Sequence, residues 1–366
     1  MKIEVVKDKL QGVIGKAQRL AGKHISLPIL SHLLLIAKKG ALTVRATNLD
    51  LGAEYTIPVK VEKEGVIAVP ASVFSSFVSN LGTVKSVFLE VSEGKLIVSA
   101  EGARATIHSG GSDDFPTIPK AEGTSFAMDP QVLLKGFKAV QYAGALGNLK
   151  PELSSVYLHH DGEELVFVAT DSFRLAEKRT PFKKTASTFQ SVLIPIKNVA
   201  ELVRILEEEK DEVRVFLGKG QLSLEGSGLL VTSRLVEGAF PDYRQIMPKE
   251  FATEAIVLKE DLISALKLTT LFSDRFNQLR LKLDPKKKQF ELSAKSGELG
   301  ESASTIDAAL TGAHLEGNFN HRYITDCLGA ISADSVAFRF SGENKPLLMS
   351  GVSDTTFRYL VMPMNR

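Results

Sequence analysis

The hydrophobic positions follow two spacings, one typical of helices and the other typical of strands. Apolar residues recur every three or four positions at Leu10, Val13, Ile14, Ala17 and Leu20, which predicts a helix buried along one face. A similar stripe follows Asp129 and Pro130, a pair suited to cap and begin a helix. In 85–100 and 211–226, apolar and polar residues alternate on both sides of a glycine turn, which predicts two β-hairpins.

The same order of elements occurs three times. Ala-Thr pairs at 46–47 and 169–170 end similar strands, and a third version of this segment places Ala294 a further 125 positions on. Pro70 and Pro195 precede helical patterns and are 125 positions apart, and the Phe-Pro pairs at 115–116 and 240–241 have the same spacing. A period of this length indicates a triplicated domain, since solenoid repeats are about 20–50 residues long.

The repeat predicts an α+β fold with three tandem copies of one domain. Each copy has two helical patterns and several strands joined by short turns, which is typical of helices packed on antiparallel sheets. The predicted domains are 1–124, 125–250 and 251–366.

A polar cluster at Thr170, Asp171, Ser172 and Arg174 raises two alternatives, a catalytic site and a turn between strands. The repeat favours the turn, because 48–50 and 296–297 occupy the equivalent positions in the other copies and carry Asn, Asp, Ser and Gly. These residue types suit turns because they bond locally or tolerate unusual φ angles. We therefore expect no catalytic residue in this cluster.

The composition is that of a globular protein, with 44% hydrophobic and 24% charged residues. The longest apolar run, 27–37, is interrupted by Ser31 and His32 and is too short to span a bilayer. The single cysteine, Cys327, cannot form an intramolecular disulfide, and the N-terminal lysines precede no apolar leader. These features predict a cytoplasmic protein without membrane contact. With a net charge of +2, any nucleic-acid role depends on where the charges lie.

Common catalytic and metal-binding motifs are missing from the sequence. It has neither a P-loop nor a Cys-x-x-Cys pair, and His159 and His160 are adjacent in a strand and so point to opposite faces. Asp113 and Asp114 are better suited to a turn than to Mg²⁺. The pattern favours a binding protein without a metal or other cofactor. Two alternatives remain, a Mg²⁺-dependent nuclease using Asp113, Asp114 or Asp171, and a peptide-binding adaptor that does not bind DNA.

Four segments together resemble the bacterial DNA polymerase III beta subunit family, the sliding clamps. They are "LPIL" from Leu27, "ATDSFRLA" from Ala169, "FPDYRQIMP" from Phe240 and "YLVMPMNR" from Tyr359, and the resemblance extends over the whole chain. It implies a non-catalytic processivity subunit of the replicative polymerase. Two chains would join head to tail, each forming half of a closed ring whose twelve helices surround duplex DNA.

The resemblance also implies partners and surfaces. The partners are duplex DNA without sequence readout, a second copy of the chain, the DNA polymerase III alpha subunit, a clamp loader, and other polymerases and repair proteins that carry short peptide motifs. The DNA-facing residues implied are Lys16, Arg19, Lys23, His24, Lys135, Lys138 and Lys150. The implied dimer interface brings Ala105 and Ile107 of one chain against Leu271 and Phe272 of the other.

A pocket for partner peptides is implied between the second and third domains. Its matching residues are Leu153, Thr170, Ser172, Phe173, Arg174, Leu175, Pro241, Ile246, Asn320, Tyr323, Leu360, Val361, Met362, Pro363 and Met364. The chain departs from the family pattern at Ser172 and Phe173, which replace a Gly-His pair, and at Gln245, which replaces an arginine. These departures predict altered partner preferences. Residues 146–152 also lack the aromatic residues that contact DNA in some relatives.

Overall fold

The computed structural model describes residues 1–22, 27–147, 149–182 and 189–364. Six α-helices occur in this part of the chain, and two fall in each predicted repeat. They are α1 (Lys7–Leu20), α2 (Ala71–Asn80), α3 (Pro130–Val140), α4 (Ile196–Glu208), α5 (Lys259–Thr269) and α6 (His321–Cys327).

The strands follow the same three-part order. Those of the first third are β1 (Lys2–Val6), β2 (His32–Lys38), β3 (Ala41–Thr47), β4 (Leu51–Pro58), β5 (Lys60–Lys63), β6 (Gly65–Pro70), β7 (Ser86–Ser92), β8 (Lys95–Ala100) and β9 (Ala103–His108). Those of the second are β10 (Thr124–Met128), β11 (Ser155–Asp161), β12 (Glu164–Thr170), β13 (Arg174–Pro181), β14 (Val192–Pro195), β15 (Val213–Gly218), β16 (Gln221–Gly226) and β17 (Leu229–Arg234). Those of the third are β18 (Thr253–Leu258), β19 (Gln278–Asp284), β20 (Gln289–Ser296), β21 (Gly300–Ile306), β22 (Ala308–Gly312), β23 (Leu315–Asn320), β24 (Ser335–Phe340), β25 (Leu347–Gly351) and β26 (Phe357–Val361).

Local sequence explains where these elements form. The apolar stripe predicted in the first helix is the buried face of α1, as expected for an amphipathic helix on a sheet. Asp129 caps α3, because its Oδ1 accepts a hydrogen bond of 2.8 Å from the amide of Gln131. The hairpins predicted at 85–100 and 211–226 are the pairs β7–β8 and β15–β16. The two spacings in the sequence therefore predicted these elements correctly.

The described chain forms two compact units. The first comprises 1–131 and 204–235, and it contains the sheets β5-β1-β7-β8-β9 and β10-β15-β16-β17-β4-β3-β2-β6. In the second sheet, β17 pairs antiparallel with β4, so strands from the first and middle thirds of the chain share one sheet. Helices α1 and α2 contact each other, and α1 also packs on β3 and β4.

The second unit comprises 132–203 and 236–366. Its nine-stranded sheet has the order β14-β11-β12-β13-β26-β25-β24-β18-β22, and its four-stranded sheet has the order β21-β20-β19-β23. Here β13 pairs antiparallel with β26, which joins the middle and last thirds of the chain. The terminal strand is therefore an interior member of a large sheet, and this position brings the tail beside the turn at 170–174. Within the described segments, no helix combines the length and apolar character of a membrane span.

Candidate functional site

The cluster at 170–174 is the tight turn between β12 and β13, as predicted. Asp171 Oδ1 accepts hydrogen bonds of 2.9 Å from the amides of Phe173 and Arg174, and the Thr170 hydroxyl donates to the Arg174 carbonyl at 2.7 Å. Ser172 has a φ of 79°, the left-handed conformation that favours glycine. The polar groups of the turn bind its own backbone, and Ser172 adopts this conformation at the position where it replaces the glycine of the Gly-His pair.

The Arg174 side chain is largely buried. Its Nε is 2.9 Å from Asp171, its Nη1 is 2.6 Å from Asp326, and its guanidinium is 4.5 Å from the ring centroid of Tyr323. Two carboxylates and an aromatic face therefore surround the charge, an arrangement that suits the planar guanidinium. In this conformation the donors of Arg174 are directed to Asp171 and Asp326, and its contact with a partner peptide stays a prediction.

The tail continues from β26 across the turn. Leu175 pairs with Leu360 and Arg174 with Val361, and beyond the strand the amide of Met362 donates to the Phe173 carbonyl at 2.8 Å. The amide of Met364 then donates to the carbonyl of Asn318 in β23, also at 2.8 Å. The backbone of the tail thus connects the turn of the middle third with a strand of the last third.

Several predicted pocket residues belong to the core instead. Leu175, Leu360 and Val361 are buried, and the first two pack in a cluster with Val166, Val168, Tyr243 and Leu348. Leu153 is also buried, and its carbonyl accepts from the amide of Ala145 at 2.9 Å. These four residues support the surface from below, since a side chain without solvent exposure cannot be an open wall.

Three apolar side chains remain exposed around the turn and tail. Phe173 is 62% exposed, Ile246 51% and Met362 36%. Pro241 is also exposed, while Asn320, Tyr323, Pro363 and Met364 are half-buried. We call these eight residues the tail surface. Exposed apolar side chains over a rigid core are typical of binding surfaces.

Pro241 and Ile246 are held in place by Tyr243. The Tyr243 hydroxyl donates to the buried Glu177 carboxylate at 2.7 Å, and Arg179 Nε lies 3.0 Å from the same carboxylate. Burial and the neighbouring Glu177 raise the pKa of Tyr243, so the phenol stays protonated and remains a donor. The short segment on each side of Tyr243 is therefore anchored by a buried charge-assisted hydrogen bond.

Sequence models of the three domains of the DNA polymerase III beta subunit match almost the entire chain. The N-terminal domain matches 1–119, the central domain 127–242 and the C-terminal domain 244–365. The chain belongs to the DNA polymerase III beta subunit family.

Individual relatives agree with this membership over their full lengths. A beta sliding clamp of Pseudomonas aeruginosa is 28% identical over 99% of this chain and 98% of its own. One of Synechococcus elongatus is 26% identical over 100% and 99%. The crystal structure of the P. aeruginosa DNA polymerase III subunit beta covers 100% of both chains with a TM-score of 0.95 at 26% identity. The fold is therefore that of the beta subunits, with three tandem α+β domains.

The positions that the resemblance implies to face DNA differ in their surroundings. Lys16 Nζ and Arg19 Nη2 in α1 lie 2.8 Å and 3.5 Å from oxygens of Glu208 in α4. Both cations of α1 therefore have an acidic neighbour on another helix. Lys135 and Lys138 in α3 and Lys150 in the following loop are exposed. Lys23 and His24 lie outside the described residues.

The residues implied for the dimer interface lie in β9 and in the single helical turn after α5. Strand β9, with Ala105 and Ile107, is one of the two outer strands of the five-stranded sheet. The Ile107 side chain is buried in its own unit, however, so it cannot itself contact a partner chain. Leu271 is exposed and Phe272 half-buried, in a single helical turn that follows α5.

Among the described residues, no group of three or more His, Cys, Asp or Glu side chains could hold a metal ion. Cys327 is buried, and burial raises the pKa of its thiol, which keeps it protonated and unreactive. His159 lies 3.3 Å from the Tyr243 hydroxyl, and burial lowers its pKa. His159 thus belongs to the packing beneath the tail surface.

Sequence reasoning missed three residues in the elements that surround or support the tail surface. Asp326 follows Tyr323 by three positions in α6, so helical spacing could have placed both beside one partner. Phe276 is exposed in a loop whose Asn277 carbonyl accepts from the His321 amide at 2.9 Å, at the start of α6. The buried Glu177 had no signal, because a charged residue inside a strand normally predicts an exposed position.

Proposed function

We propose that this chain is a DNA sliding clamp, a ring-forming subunit that encircles duplex DNA and tethers the replicative polymerase. Curated relatives over the full chain carry the name beta sliding clamp. Within the chain, the observation that carries the proposal is the way in which successive domains join.

Successive copies of the domain are joined by strand pairing, and the equivalent strands of the repeat form both of these joints. Strand β4 of the first copy pairs with β17 of the second, and β13 of the second pairs with β26 of the third. In the repeat, β4 and β13 correspond to β21, and β17 and β26 correspond to β9. Both β21 and β9 are outer strands of their sheets. Pairing of β21 in one copy with β9 in a second would repeat the joint and close a ring, since outer strands seek partners.

DNA would pass through this ring without sequence readout. The exposed lysines of α3 and the basic residues of α1 would line the hole of this ring. Contacts from Lys and Arg to phosphates are independent of sequence and allow a protein to slide. The domain limits that we propose for this arrangement remain 1–124, 125–250 and 251–366.

Partner proteins would dock through short peptides on the tail surface. Phe173, Ile246 and Met362 supply exposed apolar contacts over a core that is already packed. A few apolar anchors usually provide most of the binding energy of a small interface. Methionine adapts its shape to varied side chains, which suits a site shared by the polymerase alpha subunit, the clamp loader and repair proteins.

The proposal assigns no chemical step to the chain. A nuclease that uses Asp113, Asp114 or Asp171 would cut DNA when Mg²⁺ is added, whereas a clamp leaves it intact. An adaptor that binds peptides alone would fail to remain on circular DNA. Incubation with labelled plasmid and Mg²⁺, followed by measurement of retention on circular and linear forms, therefore tests all three functions together.

A further inference from the structure

Glu208 forms ion pairs with two of the basic residues that would face DNA in the proposed function. Its two carboxylate oxygens are divided between them, with Oε2 2.8 Å from Lys16 Nζ and Oε1 3.5 Å from Arg19 Nη2. Lys16 and Arg19 are three positions apart in α1, so both side chains lie on one face of the helix. One carboxylate at the end of α4 thus contacts two neighbouring positive charges and offsets part of their combined charge.

The three side chains remain reachable from solvent. Lys16 keeps 25% of its side-chain exposure, Arg19 39% and Glu208 43%. An ion pair with this exposure is weak and can exchange with a competing anion, because water and salt screen it. Lys16 also has an aromatic neighbour, since its Nζ lies 5.8 Å from the ring centroid of Tyr55.

Other acidic residues lie next to Glu208 in the sequence, at and just beyond the end of α4. Glu209 is half-buried, and burial raises its pKa although Lys16 acts in the opposite direction. Glu207 and Asp211 are exposed nearby in sequence. Glu208 is distinguished from these residues because its carboxylate makes the direct contacts with both cations.

We propose that Glu208 is an internal competitor for DNA phosphates at Lys16 and Arg19. This inference rests on the proposed function, which places these cations beside DNA. A phosphate that approaches them must displace the carboxylate, so each contact gains less affinity and releases fewer counterions than a free cation would. The carboxylate returns when the phosphate leaves. Glu208 therefore weakens the hold on any one position of the duplex and favours sliding.

Glu208→Gln tests the inference, with Glu212→Gln as the matched control. Glu212 is exposed four positions further on, and its substitution changes the net charge equally. We measure equilibrium binding to a short duplex by fluorescence anisotropy over a range of salt concentrations, and thermal unfolding of each variant. Glu208→Gln should bind on the order of tenfold more tightly at low salt, with a salt slope steeper by about one to two units. Glu212→Gln should behave as the wild type.

A triple variant carrying Lys16→Gln, Arg19→Gln and Glu208→Gln should lose the entire gain, because the released cations are its source. Equal gains in Glu208→Gln and Glu212→Gln would attribute the effect to net charge and overturn the inference. Unchanged binding of a folded Glu208→Gln variant would overturn it as well. Retention of the wild type on circular and linear DNA is measured separately. A clamp that encircles DNA but does not respond to Glu208→Gln refutes this inference alone.

Discussion

At the residue scale, Arg174 and Arg244 show how burial determines the worth of an ion pair. The Arg174 side chain is 11% exposed and contacts two carboxylates, whereas that of Arg244 is 57% exposed and lies 3.2 Å from Asp161. Arg174→Gln should lower the free energy of unfolding by about 2–4 kcal/mol, because it removes the cation from the Asp171 carboxylate, whose side chain is only 15% exposed. Arg244→Gln should cost less than about 1 kcal/mol. Urea unfolding of the two variants measures these losses of free energy, and similar losses in both would contradict the account.

Met362 is exposed and Leu175 is buried, so substitutions at these two residues should separate peptide binding from stability. Met362→Ala should weaken the binding of a peptide from the polymerase alpha subunit about tenfold, because an apolar contact of about 1–3 kcal/mol is lost. Leu175 is buried, so Leu175→Ala should instead lower the free energy of unfolding by about 2–5 kcal/mol. Calorimetry with the peptide checks the first variant, and Val73→Ala, an exposed apolar position in the other unit, is the control. Wild-type affinity in Met362→Ala would remove Met362 from the site.

His159 makes stability depend on pH beneath the tail surface. Burial lowers its pKa in the folded protein, so folding favours the neutral ring. The stabilisation is complete above the ordinary histidine pKa of about 6.5 and is lost as the pH falls through the lower folded pKa. The wild type and a His108→Gln control should therefore lose more stability between neutral and acidic pH than His159→Gln does. Parallel pH profiles from urea unfolding would show that His159 does not contribute.

At the element scale, the proposed joint between β9 and β21 predicts the oligomeric state. Leu271 is exposed just after α5, where a lone chain gains little from an apolar side chain. Replacing Leu271 and Phe272 with Asp should give monomers in sedimentation, because charges would be buried in the interface. The matched control replaces Leu146 and Leu149, two fully exposed leucines, with Asp and should leave the dimer intact. A dimeric Leu271 and Phe272 double variant would place the interface elsewhere.

The elements that were predictable from sequence are those with a local cause. The stripe of α1, the cap at Asp129 and the turn at Asp171 each depend on residues a few positions apart. The contacts of Arg174 with Asp326 and of Tyr243 with Glu177 join residues 152 and 66 positions apart, so local patterns could not reveal them. The same limit explains why Leu175 and Leu360 were expected in an open pocket, although pairing of β13 with β26 buries both.

At the scale of the whole molecule, the repeat explains more than any single motif. Spacings near 125 residues predicted three copies of one domain, and the family matches at 1–119, 127–242 and 244–365 agree with three tandem domains. The repeat also identifies β9 and β21 as the strands left without the pairing that their equivalents make. The charge balance between Lys16, Arg19 and Glu208 lay beyond sequence reasoning, because α1 and α4 are far apart in the chain.

The central claim is that the protein holds DNA by encircling it, and retention after linearisation tests this most directly. Radiolabelled protein is loaded onto a nicked circular plasmid with its clamp loader and separated from free protein by gel filtration. Half of the sample is then cut once with a restriction enzyme. The account predicts that the protein stays with the intact circle and leaves the linear DNA by sliding off its ends. Equal retention on the two forms, or failure to load onto the circle, would contradict it.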